Sequence, residues 1–471
     1  MAAYFGIVLG VGAYFARQGG DATDYFLGRH HMPWVAVMLS IVATETSALT
    51  VISVPGIAAG RNGNLTFLQV AFGYLVGRIG VSLWLLPGYF RGEQETAYQR
   101  LETRFGAQTR RLASAVFMMI RAMGDSVRVF ASAIPLAIVT GWSIPTSVVV
   151  VCLVTLVYTW AGGIRAVVWV DVMQLFMYTL GGIVTVFVAV RLVGDLGLAF
   201  DSAREAGRLQ TFDLSLSFTA PYTLIGGIVG GALLSAASNG TDHLIVQRIL
   251  TVRNLTNARK AMIGSGVLVI AQFALFLLVG VFIWAAGADD GSLQSDRIFP
   301  QFVVDHLPVG LAGLVIAGVL AAAMSTVSSS LNSLASATTH DFYAAITGRR
   351  DPQHLLKVGR WATLAWAVVL MGGALAFRSQ DTPVVVLALS VASIAYGGLL
   401  GTFIMEGLMP RSGGRDAITA ILVATVAMLI IFLIEPGPFE NLAWPWYVPL
   451  GTAITLAVGF LSSSVRETNT R

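Results

Sequence analysis

Apolar residues run along this chain in long unbroken blocks rather than in alternation. About thirteen such blocks lie near 2–16, 33–60, 65–90, 112–140, 143–163, 166–190, 219–238, 261–286, 308–340, 361–377, 383–408, 417–434 and 446–462, with short polar gaps between them. Most hold about 20 residues, enough for a helix to cross the ~30 Å hydrocarbon core of a bilayer at about 1.5 Å per residue. The pattern predicts an all-α integral membrane protein with about thirteen helices. The block at 2–16 covers only about 22 Å, and no basic stretch precedes it as in a signal peptide. It is expected to be a peripheral helix. The blocks at 33–60 and 308–340 exceed a straight span, which predicts tilts or breaks.

Composition sharpens this picture. At 56% hydrophobic and 11% charged residues, the chain has too little charge to cover a soluble exterior. Its one cysteine, Cys152, allows no intrachain disulfide and sits among apolar neighbours, as a packing residue would. Basic residues gather in alternate gaps, as in Arg100, Arg104, Arg110 and Arg111, in Arg248, Arg253, Arg259 and Lys260, and in Arg349, Arg350, Lys357 and Arg360. The opposite gaps hold only Arg61, Arg191, Arg204, Arg208, Arg297 and Arg378. Positive charge marks the cytoplasmic side, so the expected arrangement is multi-pass in the plasma (inner) membrane, with the N-terminus outside and the C-terminus cytoplasmic. The pI near 9.3 is then a matter of topology, and no nucleic-acid partner or obligate protein partner is expected beside the lipid bilayer. No Walker loop, zinc-protease motif or nucleophile elbow occurs, so neither an enzyme nor an ATP-driven pump is expected.

Six ionisable residues fall inside the blocks: Glu45, Arg78, Arg121, Asp125, Arg128 and Asp171. A charge at that depth costs about 3 kcal/mol or more unless it is paired or hydrated. Arg121, Asp125 and Arg128 share one helix face by their spacing; a structural ion-pair ladder and a solute-binding face account for them equally. Arg78 needs only Glu45 or Asp171 as a partner. The block at 308–340 carries a second signal, "AAAMSTVSSSLNSLASATTH". Ser325, Ser328, Ser329, Asn332, Ser336 and Thr339 fall within an arc of about 100°. Close helix packing explains a stripe of small residues, but hydroxyls beside the carboxylate of Asp171 also make a hard-oxygen site for a small monovalent cation. In "SIVATETSALTVISVPG" the centre is polar and β-branched, and a break there would free carbonyls toward a cavity.

These motifs resemble the sodium:solute symporter family. The resemblance runs from "DYFLGRHHMPW" onward through "SIVATETSALT", "YTWAGGIRAVVWVDVMQ", "GTDHLIVQRIL" and "AAAMSTVSSSLNSLASATTHDFY". It implies a single transporter domain with two inverted five-helix repeats: helices 1–5 (33–190) with a broken helix 1, and helices 6–10 (219–408). The 2–16 helix (helix 0) and two further helices (417–462) lie outside the repeats. It also implies a first Na+ site from the carbonyls of Ala43, Thr46 and Ala322 with the hydroxyls of Ser325 and Thr326, and a second from Asp171, Ser325, Ser328 and Ser329. Two positions depart from the family pattern: Glu45 stands where sugar-transporting relatives have an uncharged side chain, and His243 where glutamine is usual.

The expected function is sodium-coupled import of a small organic solute by alternating access, with one or two Na+ ions as coupling ions. The expected solute lining is Glu45, Ser47, Thr50, Gln69, Arg121, Asp125 and Arg128, and the arginines favour a carboxylate or other organic anion. A sugar or zwitterion symporter, a proton-coupled carrier using Glu45 and Asp171, and a transport-dead sensor of the same fold are the alternatives.

Overall fold

The computed structural model describes residues 2–17, 20–92, 94–287, 293–377, 384–434 and 437–470; Arg378 lies outside them. Each apolar block is helical over most of its length. The chain begins with Ala2–Arg17 (α1), and the second block splits into Trp34–Glu45 (α2) and Ala48–Ala59 (α3). Then come Leu68–Tyr89 (α4), Ala107–Thr140 (α5), Ile144–Val193 (α6) and the short surface helix Leu196–Glu205 (α7). The second half holds Gly231–Gly240 (α8), His243–Leu250 (α9), Leu255–Ala285 (α10), Ser295–His306 (α11) and Val309–Ala337 (α12). Pro352–Ala376 (α13), Val384–Leu408 (α14), Gly414–Ile434 (α15) and Tyr447–Thr470 (α16) complete the chain.

Eight of these helices, or nine if the bent pair α2–α3 is one span, are long and apolar enough to cross a membrane among the described residues. The expected thirteen exceeds this for identifiable reasons. Helix α1 is short, α5 is crowded with arginines, α8 and α9 are separated by a break, and α6 carries two blocks in one helix. At 50 residues, α6 would extend about 75 Å, more than twice a bilayer core. Its two halves meet at Gly163, whose φ of 57° and ψ of −155° lie outside helical values.

Glycine is required at that junction for two reasons. The positive φ is strained for any side chain, and a Cβ there would sit 2.5 Å from the Tyr25 carbonyl oxygen. The junction aims the second half of α6, and with it Asp171, at α12. Gly163→Ala is therefore expected to cost about 1–3 kcal/mol, read as a lower melting temperature in detergent with sodium-dependent stabilisation weakened in parallel.

Two breaks position the site. Helices α2 and α3 meet at 60° across Thr46 and Ser47. Helix α3 is held against α10 at Gly280, where a Cβ would lie 2.0 Å from the Pro55 carbonyl oxygen, so no larger residue allows that approach. The second break, between α8 and α9, lies in the gap between the apolar blocks at 219–238 and 261–286. The Asp242 side chain caps α9 by accepting the Leu244 amide at 2.9 Å, and every residue of α9 is buried. Arg248, expected in a cytoplasmic loop, therefore stands fully buried on a helix. The first break falls inside the first helix of the first expected repeat (33–60), and the second falls just beyond the first helix of the second (219–238).

Candidate sodium and solute site

The break at Thr46 exposes backbone oxygen. In an unbroken helix the Ser47 amide would engage the Ala43 carbonyl and the Thr50 amide the Thr46 carbonyl. Here the Ser47 amide turns to the Glu45 carbonyl at 3.0 Å and the Thr50 amide to the Ser47 carbonyl at 2.9 Å. The i→i−4 ladder is thus interrupted at Ala43 and Thr46, and α12 packs on both α2 and α3 at this break. On α12 the Thr326 hydroxyl donates to the Ala322 carbonyl at 3.3 Å, and Ser325 lies one residue before it. The Thr46 hydroxyl is anchored separately, donating to Gln272 Oε1 at 2.8 Å. All of these side chains are buried.

A second group of oxygens converges on Asp171, which is fully buried. Ser325 Oγ donates to its Oδ1 at 2.6 Å, while Ser40 donates to Oδ2 at 2.6 Å and Thr44 at 3.3 Å. The hydroxyls of Ser328 and Ser329 donate to the Ser325 carbonyl at 3.0 and 2.6 Å, so the four expected residues form one contiguous set. A cation is already beside it. Arg248 Nη2 meets Asp171 Oδ2 at 3.0 Å and also bonds Ser329, while its Nε donates to Ser40 at 2.9 Å.

Beside the break lies a cavity of about 850 Å³, its mouth included. Of the expected solute lining, Glu45, Ser47, Thr50, Arg121 and Arg128 face it; Gln69 and Asp125 do not. Gln69 is spent elsewhere, with Nε2 donating to the Tyr222 carbonyl at 2.8 Å and Oε1 accepting from the Asp213 amide at 3.3 Å. Asp125 is buried beneath the arginines and accepts from Arg128 at 2.7 Å, from Arg121 at 3.4 Å and from Ser330. Aromatic rings close the opposite wall, where Phe67 and Phe273 stack at 5.3 Å.

The charged residues at the cavity have different fates. Arg121 is a tie: its Nε and Nη2 donate to Asp242 Oδ2 at 2.9 and 2.6 Å, and Nη2 also reaches Tyr396 at 3.0 Å. It joins α5 to the cap of α9, which is the ladder reading of that face. Glu45 is neutralised by Arg78, and Arg78 in turn donates to Ser265 at 2.8 Å. Arg128 keeps capacity. Only its bond to Asp125 engages it among the described residues, its Nε has no hydrogen-bond partner, and a fifth of its side chain is exposed. His243 links two elements, with Nδ1 accepting from the Ala97 amide at 3.3 Å and Nε2 lying 3.1 Å from Ser336 Oγ. One imidazole thus bridges the loop before α5 to the stripe on α12.

A family model described as the sodium:solute symporter family matches residues 25–435. The chain belongs to that family. Among its relatives, the sodium/sialic acid symporter NanT of Aliivibrio fischeri is 26% identical, with 99% of this chain and 92% of the relative covered. The sodium/sialic acid symporter SiaT of Proteus mirabilis is 27% identical over 90% of this chain and 87% of its own. The sodium-coupled monocarboxylate transporter 2 of Bos taurus is 26% identical over 96% and 74%. A solved Na+-coupled sialic acid symporter, substrate-bound and outward-open, superposes with a TM-score of 0.88 at 24% identity, covering 98% of this chain and 96% of that one. At that identity the likeness speaks for the fold.

As a member of the sodium:solute symporter family, the protein is a sodium-coupled, multi-pass transporter and not an enzyme. Beside the expected residues stand Arg248, Asp242 and Gln272, with Asn239 lining the cavity, none of which the sequence reading singles out. Asp242 is the N-cap within "NGTDH", where turn residues precede a helix, and Arg248 lies on the helix it opens. Asn239 opens that same stretch, whereas Gln272 carries no sequence signal, because a single amide in an apolar run does not announce what it faces.

Proposed function

We propose that this symporter imports a small organic anion carrying one carboxylate, with Na+ as the co-substrate. The observation that supports this most is Arg128. It is the cavity cation with unspent donors, whereas Arg121 is committed to Asp242 and Glu45 to Arg78. A planar guanidinium with free N–H groups matches a carboxylate in two parallel bonds. The sialic acid and monocarboxylate named for the relatives are both acids, which agrees with this reading.

In the proposed cycle, one Na+ binds the carbonyls of Ala43, Thr46 and Ala322 with the hydroxyls of Ser325 and Thr326. A second binds Asp171 with Ser325, Ser328 and Ser329. Hydroxyl and carbonyl oxygens replace the water of a hard cation, and filling the first set stiffens the break beside the solute cavity. Rocking of one repeat against the other then carries ion and solute inward. The inner side carries a closure suited to an outward-facing state. Buried Asp341, just beyond α12, accepts from Arg110 at 2.8 Å, from Thr96 at 2.6 Å and from Ser114 at 2.8 Å. This direction assumes the cytoplasmic C-terminus that the basic loops favour.

The test is uptake into proteoliposomes under an inward sodium gradient, with choline as the control cation and labelled pyruvate, N-acetylneuraminate and glucose as probes. Accumulation of one or both acids in sodium alone is the expected result. Accumulation of glucose without either acid, or uptake indifferent to sodium, overturns the reading.

A further inference from the structure

Outside the solute cavity, one cation sits in an unusual setting. Arg208 follows α7 on the segment that leads to α8, and its own amide is fixed to the Ala203 carbonyl at 2.8 Å. Its guanidinium reaches across to the far end of α3. Nη1 donates to the carbonyls of Ala58 at 3.2 Å, Ala59 at 3.3 Å and Gly63 at 3.1 Å, and also to Gly60; Nη2 donates to Arg61 at 3.1 Å. The ring of Trp284, at the end of α10, lies 4.5 Å beneath it. No carboxylate pairs with it among the described residues. Its charge is met by carbonyl dipoles and an aromatic face.

This arrangement answers a specific need. The last carbonyls of a helix lack intrahelical partners and carry partial negative charge, and α3 ends where the chain turns sharply back toward α4. One guanidinium engages two of these oxygens, on Ala58 and Ala59, together with the Gly60, Arg61 and Gly63 carbonyls of the turn beyond, sharing its N–H groups among them, and it joins the end of α3 to α10 through Trp284. Helix α3 is then pinned twice, at its end by Arg208 and at its middle by the contact of Pro55 with Gly280. It is 12 residues long, about 18 Å, and its other end is the break that presents the Ala43 and Thr46 carbonyls. A rigid rod fixed at one end holds its other end in place.

We propose that Arg208 is a positioning residue for sodium coupling, anchoring the outer end of α3 so that the carbonyls at the break stay at ion-binding spacing. The inference rests on the sodium site described above. Its effect belongs in sodium affinity rather than in solute recognition, because Arg208 lies outside the solute cavity.

Arg208→Gly and Arg208→Lys in proteoliposomes test it, with uptake and melting temperature both titrated against sodium. For Arg208→Gly the sodium concentration giving half-maximal effect is expected to rise about tenfold in both readouts, with maximal uptake largely kept. Lysine supplies a charge without the planar fork, so Arg208→Lys should fall between glycine and wild type. Guanidinium chloride at low millimolar concentration, added outside, should restore the sodium response of Arg208→Gly, whereas methylammonium should not. An unchanged sodium midpoint in Arg208→Lys together with Arg208→Gly overturns the inference, as does a loss of maximal uptake without a midpoint shift. If Arg208→Gly does not fold, the lysine variant's midpoint decides alone. A wild-type protein indifferent to sodium would instead overturn the sodium site itself, and this inference with it.

Discussion

Arg128→Ala is expected to lower uptake of a carboxylate solute by about two orders of magnitude while leaving sodium-dependent stabilisation intact. Truncating one partner of a desolvated charge pair costs about 2–5 kcal/mol, and 1.4 kcal/mol is a factor of ten. The protein itself should tolerate the change, because Arg128 makes one bond, to Asp125, and Asp125 keeps Ser330 and Arg121. Arg128→Lys should recover part of the loss, since charge survives while the paired geometry does not. Arg121→Ala supplies the contrast. It removes the tie to Asp242 and Tyr396, so it should lower melting temperature as well as uptake. Wild-type uptake in Arg128→Ala would remove the carboxylate assignment, measured as initial rates at matched protein abundance.

Arg248→Gln is expected to be the most destabilising single change at the ion site, and conditionally so. Both members of the Asp171–Arg248 pair are fully buried. Removing one partner of such a pair costs about 3–5 kcal/mol, because the other charge is left uncompensated in a low dielectric. Sodium at the Asp171 set would supply the missing charge. The melting temperature of Arg248→Gln should therefore drop steeply in choline and recover in sodium, giving a larger sodium-minus-choline difference than in wild type. Neutralising the partner as well, in Arg248→Gln with Asp171→Asn, should restore part of the stability in choline and abolish the added sodium response, a coupling that a double-mutant cycle reads directly. An equal drop in sodium and choline would show that no cation reaches Asp171.

The membrane helices were legible because a bilayer leaves the chain little choice: each crossing needs its own apolar block. Asp171 and the serines of α12 were legible for a related reason, since polar groups at that depth are conspicuous against an apolar background. Arg248 was hidden by its surroundings. Its helix has eight residues and runs into Arg253, Arg259 and Lys260, so it reads as part of a basic loop until the fold buries it. Gln69 and Asp125 stand away from the cavity. Spacing puts Asp125 on one face with Arg121 and Arg128, but only the fold brings Ser330 to Asp125 and the Tyr222 carbonyl to Gln69. Periodicity tells which way a side chain points; it does not tell which partner has already taken it.

Sodium held between the break at Thr46 and the serines of α12 is what couples the ion to the solute in this scheme. The measurement that tests it most directly is the melting temperature of the purified protein titrated with sodium chloride against choline chloride at fixed ionic strength, for wild type, Ser325→Ala and Asp171→Asn. A ligand at 100 times its dissociation constant adds about 2.7 kcal/mol. Sodium-selective stabilisation of the wild type is expected, lost in Ser325→Ala, which touches both sites, and reduced in Asp171→Asn, which touches one. Equal melting curves in sodium and choline for the wild type, or a sodium response untouched by Ser325→Ala, would contradict it.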